Sequence, residues 1–253
     1  MALWAAGPVD RLLRPKEAGE LPPLWLRRHA GPVKHFHSSA EQTAATVGEL
    51  ALLRPTDTVL DVGCGPGAMA IEFQRLLAPE GRYVGFDVHR PSINWCREHL
   101  ESDPRFRFEL AEIRTPFSPR SAGRIEGFRF PVADDSCDFV LAKSVFTHLL
   151  EPEAAQYLRE VFRVLRPGRS ALVTAFLFDP KLSKIAAFPF PSTETSVRWK
   201  IRTRPHAAVA YSRELFESLV DSAELKIERM IEGFFPGSPP QPTGQDVLVV
   251  RKP

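Results

Sequence analysis

The sequence predicts an α/β fold, a mostly parallel sheet with helices on both faces, and three observations predict it. A short apolar run, Thr58-Val59-Leu60, leads through Asp61-Val62-Gly63-Cys64-Gly65-Pro66-Gly67 into Ala68-Met69-Ala70-Ile71-Glu72-Phe73, whose apolar spacing is helical. A second apolar run, Tyr83-Val84-Gly85-Phe86, ends in Asp87 one strand–helix unit later. Strand-like and helix-like segments then keep alternating, the pattern of parallel strands joined by crossover helices. A length of 253 residues suits one such domain with added loops.

Taken in order, residues 1–37 read as a proline-punctuated arm or lid and 38–253 as the domain. Ser38 to Leu53 reads as a helix, capped by Ser38 or Ser39 with Gln42 as the box partner. The glycines after the first strand are needed where bare backbone approaches a ligand, because a Cβ would collide or block a positive φ. Phe106 to Ile113 alternates as a third strand and presents Glu112 at its end. The run beginning Asp138-Phe139-Val140-Leu141 is a fourth strand, whose C-terminal end faces the crevice where open α/β sheets bind ligands. Tyr157 to Leu165 is an amphipathic helix stopped by Arg166-Pro167-Gly168, and Ser170 to Phe176 is a fifth strand. A helix over Ser212 to Ala223 precedes two last strands, Leu225 to Ile231 and Asp246 to Arg251, the second antiparallel at or near an edge. Insertions at about 114–131 and 179–211 are placed to form a substrate cap over the strand ends.

A formal net charge of +2 gives no general mandate for binding nucleic acid. Cys64, Cys96 and Cys137 lie far apart without metal-ligand spacing and read as reduced thiols of a cytoplasmic protein. Met1 to Gly7 is too short for a secretory signal, and no stretch spans a bilayer. The sequence is silent on oligomeric state.

Gly63-x-Gly65-x-x-Ala68 also satisfies the loose dinucleotide fingerprint, so the glycines alone do not select a ligand. Electrostatics does. The carboxylate of Asp61 repels a pyrophosphate and attracts a ligand carrying an ammonium and a sulfonium. Asp87 is suited to accept hydrogen bonds from two ribose hydroxyls in either ligand class. The plainer alternatives are a turn residue for Asp61 and a helix cap for Asp87.

On these residues the chain resembles the class I S-adenosylmethionine-dependent methyltransferases, whose first motif reads much like Asp61 to Gly67. Val164-Leu165-Arg166-Pro167-Gly168 is a further mark of that family. The resemblance implies a Rossmann-like seven-stranded sheet and S-adenosyl-L-methionine as cofactor. It implies cofactor contacts from Asp61, Gly63, Cys64, Gly65, Gly67, Asp87, Val88, Glu112, Ile113 and Lys143. The family usually has Asp where Glu112 stands, near the adenine amino group, with the next residue, here Ile113, lining the base. Phe117-Ser118-Pro119, Phe130-Pro131, Ser144-Val145-Phe146-Thr147-His148-Leu149, Ala207 to Tyr211 and Gln245-Asp246 resemble a bacterial small-molecule-type group within it. The match departs at Ser118, where that group tends to have Asn, and at His206, where it tends to have an acid.

The function this implies is in-line methyl transfer to a small molecule or sugar-like metabolite, at oxygen. Such a reaction needs chiefly positioning, plus a base for an alcohol or phenol. His148, just past the fourth strand, is the candidate catalytic base because histidine accepts a proton near neutrality. The alternative is a histidine packed under the cofactor or capping a helix. His35 and His37 read as lid residues, and no carboxylate cluster suits magnesium, so no metal is assigned. Read as a strand, Ser196 to Arg204 puts Arg198, Lys200, Arg202 and Arg204 on one face, for an anionic substrate or as a solvated edge. A nucleic-acid methyltransferase is the rival enzyme, but base N-methylation typically uses an Asn/Asp-Pro-Pro-aromatic tetrad where this chain has Ala142-Lys143-Ser144-Val145. A nucleotide-dependent oxidoreductase is disfavoured by Asp61, and a non-catalytic cofactor-binding protein is the reading from another class.

Overall fold

The computed structural model describes residues 21–31, 33–50, 52–179, 196–233 and 245–253. The first part of the arm, residues 180–195 of the second insertion and the proline-rich stretch 234–244 therefore lie outside the described residues. A one-turn helix α1 (Leu24–Arg27) continues as a 3-10 turn over Arg28–Ala30, and a second 3-10 turn, Val33–His35, enters α2 (Phe36–Glu49). The helix thus begins two residues before the expected serine cap and ends before Leu53. His35 stands at the N-cap without a side-chain bond, and Ser39 lies inside the helix, its carbonyl accepting from Thr43 Oγ1 at 2.7 Å. Burial of Phe36, with the Arg27 guanidinium over its ring, sets that start instead of a serine.

β1 (Thr58–Val62), β2 (Arg82–Asp87), β3 (Phe106–Leu110), β4 (Cys137–Ala142) and β5 (Leu165–Phe178) pair in parallel in the order β3-β2-β1-β4-β5. The crossovers carry α3 (Ala68–Leu76), α4 (Arg90–Leu100) and α5 (Glu151–Val164). Beyond β5 lie β6 (Val197–Trp199), β7 (Val209–Ser212), α6 (Arg213–Ser222), β8 (Lys226–Ile231) and β9 (Asp246–Arg251). β9 runs antiparallel between β5 and β8, one place in from the edge. Ser212 caps α6 by accepting from the Leu215 amide, the role its residue type favours.

Among the described residues the sheet has nine strands, where seven are expected. The reason is the length of β5. Its pairing with β9 ends at Ala175, leaving Phe176, Leu177 and Phe178 with an open edge, which β7 takes in parallel register while β6 pairs antiparallel with β7. β6 stops at Trp199, so the basic residues 198–204 do not form one strand face; Arg202 and Arg204 fall in the turn that follows.

β1 and β4 are buried on both faces, as parallel strands covered by helices must be. Alternate residues feed two apolar clusters, Leu60 and Val62 into one, Val59 and Tyr83 into the other. This alternation places Asp61 on the Val59 side, inside the sheet. Tyr211 ties the added strands to the core: its buried hydroxyl donates to the carbonyls of Phe146, at 2.9 Å, and of Leu149. Replacing Tyr211 by Phe strands those carbonyls, so Tyr211→Phe is expected to lose roughly 1–3 kcal/mol in urea unfolding. A loss within error would show that the turn after β4 is held by something else.

Candidate cofactor and catalytic site

The turn between β1 and α3 is shaped by three left-handed glycines, Gly63 (φ 71°), Gly65 (φ 52°) and Gly67 (φ 82°). A Cβ on Gly63 would meet Val145 at 2.7 Å and one on Gly67 would meet Leu100 at 2.9 Å, whereas the space over Gly65 is open. The turn's N–H groups are already used. Those of Gly63 and Cys64 donate to the Phe86 carbonyl, that of Gly65 to Asp87 Oδ2 at 2.8 Å, and that of Gly67 to the Cys64 carbonyl; Pro66 has none. A pyrophosphate needs such groups free, so the turn is built for close approach and not as an anion nest.

Asp87 ends β2, half-buried, with its second oxygen accepting from the His89 amide at 2.7 Å. Two amides fix the carboxylate, and each oxygen keeps a further lone pair for a ligand hydroxyl. Asp61 is not at the lip of the turn. It is 2 % exposed, and the Tyr83 hydroxyl donates to its Oδ2. Burial pushes its pKa up to about 7, although the Tyr83 hydrogen bond and the charge of Lys143 oppose this. Lys143, at the end of β4, is itself held below its ordinary value by desolvation, which Asp61 partly offsets.

The remaining expected contacts divide. Cys64 is a buried free thiol of the turn whose pKa desolvation raises, and Val88 packs partly buried against the core beside Asp87. Ile113 is 3 % exposed and bridges to Gly123, drawing the first insertion under the end of β3. Glu112 points outward to Arg90, 2.6 Å away, with both side chains more than 60 % exposed. Among the described residues no cluster of three metal-ligating side chains occurs.

His148 lies in a 3-10 turn, Phe146–His148, reached through Ser144, whose φ of 59° bends the chain off β4. The strain of a non-glycine residue there, about 1–3 kcal/mol, is opposed by bonds from the Ser144 amide to Thr174 Oγ1 (2.8 Å) and from the Gln245 amide nitrogen to Ser144 Oγ (3.0 Å). Nδ1 of His148 is 2.8 Å from the His206 carbonyl, and desolvation lowers the ring's pKa. The Phe117 ring meets His148 edge-on at 5.2 Å and His29 at 5.8 Å, and His29 packs on His89 with centroids 3.6 Å apart. Desolvation also lowers His29 and brings His89 down to about 4. Sequence reasoning missed His29 and His89, which no local motif marks. His37, read as a lid residue, instead reaches Glu41 and Glu72 between α2 and α3.

Residues 59–168 match the family described as "Methyltransferase domain". Over these residues the chain is similar to a methyltransferase domain. The chain is similar to an uncharacterized methyltransferase of Schizosaccharomyces pombe, 31% identical over 119 residues, 47% of this chain and 40% of that protein. It is similar to the ubiquinone/menaquinone biosynthesis C-methyltransferase of Vibrio vulnificus, 30% identical over 135 residues, 52% and 46% of the two chains. The chain therefore spans less than half the length of these curated relatives. In fold it is similar to a SAM-dependent methyltransferase from Aquifex aeolicus, with TM-score 0.56 and 16% identity over 89% of this chain and 95% of that one.

The domain implies S-adenosylmethionine as cofactor, and the residues present fit it: an open approach over Gly65, a turn with its amides consumed, and two acids at adjacent strand ends. Among the described residues no helix is long and apolar enough to cross a membrane.

The buried acid gives a pH signature. Its folded value of about 7 stands above the ordinary 3.8, so the folded chain keeps a proton that the unfolded chain has released. Stability from this group is complete below the unfolded value and is lost as pH rises through the folded one. Asp61→Asn is therefore expected to gain stability relative to the parent as pH rises from about 4 to about 7 in denaturant titrations without added ligand. Comparing the two proteins cancels the opposite slope of the desolvated histidines; a constant difference would show Asp61 titrating normally.

Proposed function

We propose that the protein moves the methyl group of S-adenosylmethionine to an oxygen of a small-molecule acceptor, with His148 as general base. The observation that carries this reading is the bond between His148 Nδ1 and the His206 carbonyl. A carbonyl has no proton to give, so Nδ1 bears the hydrogen and Nε2 keeps its lone pair. The lowered pKa keeps the ring neutral near pH 7 and ready to accept.

Bound at this site, the cofactor supplies an electrophilic methyl on a positively charged sulfur. Asp87 is assigned to the ribose hydroxyls, Asp61 and Lys143 to the charged amino-acid end, and Gly63, Cys64, Gly65 and Gly67 to close backbone approach. Val88 and Ile113 are assigned to the apolar surroundings of the base. Glu112 is the weakest assignment, because Arg90 holds it toward solvent. As the new O–CH3 bond forms, the acceptor's proton passes to His148 Nε2 and the sulfur leaves as a neutral thioether. The exposed ring of Phe117, 5.2 Å from His148, offers the acceptor an apolar surface.

Calorimetry is expected to detect binding of S-adenosylmethionine and of its demethylated product but not of NAD; NAD binding without either sulfur ligand would end the proposal. Asp87→Ala should weaken cofactor binding by about tenfold or more, the equivalent of one to two charged hydrogen bonds. His148→Ala should leave cofactor affinity in place and cut label transfer from methyl-labelled donor into extract metabolites by roughly 10²- to 10⁴-fold. Full transfer by that variant would remove His148 from the chemistry.

A further inference from the structure

The carbonyl that fixes His148 does not belong to its own element. It comes from the 3-10 turn Pro205–Ala207, which precedes β7 and is far from His148 in sequence. What holds that carbonyl is the His206 side chain itself, whose Nε2 lies 3.1 and 3.2 Å from the two oxygens of Glu153. Both side chains are about four-fifths covered, at 23% and 19% exposure. Glu153 is anchored in turn at the start of α5, where its Oε2 accepts from the Leu150 amide at 2.7 Å. An unbroken chain of contacts thus runs from the start of α5 through an imidazole and its own backbone to Nδ1 of His148.

We propose that Glu153, acting through the His206 imidazole, is a positioning residue that sets the tautomer and orientation of the His148 ring. The role rests on the reading of His148 as the base, but the geometry it controls is measurable without turnover. A histidine with no acceptor at Nδ1 is free to carry its hydrogen on Nε2, and in that form it has no lone pair to offer an acceptor hydroxyl. Holding the 205–207 turn against α5 keeps Nδ1 as the protonated atom. Tyr211 holds the other side of the site, bonding the Phe146 and Leu149 carbonyls, so the histidine turn is fixed from β7 while its ring is fixed from α5. The ionisable groups facing His148 are His206 and, from the arm, His29; Glu153 reaches it only through His206.

The test is nitrogen-15 NMR of the full chain, which reads which ring nitrogen of His148 is protonated. The parent is expected to show hydrogen on Nδ1 alone. His206→Ala keeps the carbonyl and the α5 start but removes the tether, and is expected to give a mixture of tautomers. It should also lower methyl transfer on the order of tenfold to a hundredfold while S-adenosylmethionine affinity by calorimetry stays unchanged. Glu153→Ala should match it, and Glu153→Gln, which retains an acceptor for both the Leu150 amide and His206, should restore the single tautomer. A single Nδ1–H tautomer in both His206→Ala and Glu153→Ala would overturn the positioning role. Full transfer by His148→Ala with a tether-dependent tautomer would instead sink the base assignment and leave the tether standing.

Discussion

A carboxylate enclosed in the middle of a parallel sheet is the constraint around which this site is arranged. β1 pairs on both sides and alternates its residues between two apolar layers, so Asp61 is almost completely shielded from bulk water. A buried charge of this kind is costly unless it is hydrogen-bonded or neutralised. Tyr83 supplies the bond and Lys143 a distant positive charge, while Asp87 works the other way. The result is an acid whose proton is held well into the neutral range, beside a second acid pinned by two amides, with a glycine turn between them whose own donors are spent. Such a cleft favours a cation once Asp61 has released its proton, and the turn amides of Gly63, Cys64, Gly65 and Gly67 are not free for a phosphate.

The parts of this arrangement that depend on local backbone were legible in the sequence. Glycines at 63, 65 and 67 declare a left-handed turn, and acids at 61 and 87 mark the ends of adjacent strands because the strand–turn–helix unit is written within a few residues. What sequence could not carry was side-chain direction across elements. Asp61 was expected to act on a ligand by its charge, and the period of two in β1 turns it toward Tyr83, a residue of another strand. Glu112, expected near the adenine, pairs at the surface with Arg90 of α4, a partner no local motif announces. β7, and the sheet pairing of the strand read near residues 196–204, were not legible, since they depend on how far β5 outruns β9. The start of α2 followed the burial of Phe36, where the serines gave a stronger local signal.

The His148 side of the cleft is assembled largely from segments outside the core strands. His29 comes from the arm, Phe117 from the first insertion, His206 from the second, and His89 from the turn after β2. None of these has a sequence neighbour among the others, and each meets the next through a ring face, a ring edge or a carbonyl. A common sheet therefore presents the cofactor end in a fixed way, while the segments grafted over its strand ends decide what else enters. The differing identities at Ser118 and His206 fall in such segments. Ser118 donates to the Ile113 carbonyl within the first insertion, and His206 fixes the ring next to Phe117.

The lowered pKa values of His29, His89 and His148 bear on the charge economy of the cleft. Three protonated imidazoles in a group that reaches Asp87 through His29 would compete with a cationic ligand, and burial opposes this by favouring the neutral rings. For His148 the same effect cuts two ways. In the proposed role, a weaker base would capture an alcohol's proton with less driving force, but it would remain in its accepting form at lower pH and would give the proton up readily after methylation. In the proposed reaction, transfer of the methyl would discharge the sulfonium as the ring gained its proton, so one positive charge would move across the cleft and none would be added. A base of low affinity suits that exchange, since the proton arrives only when the neighbouring cation has disappeared.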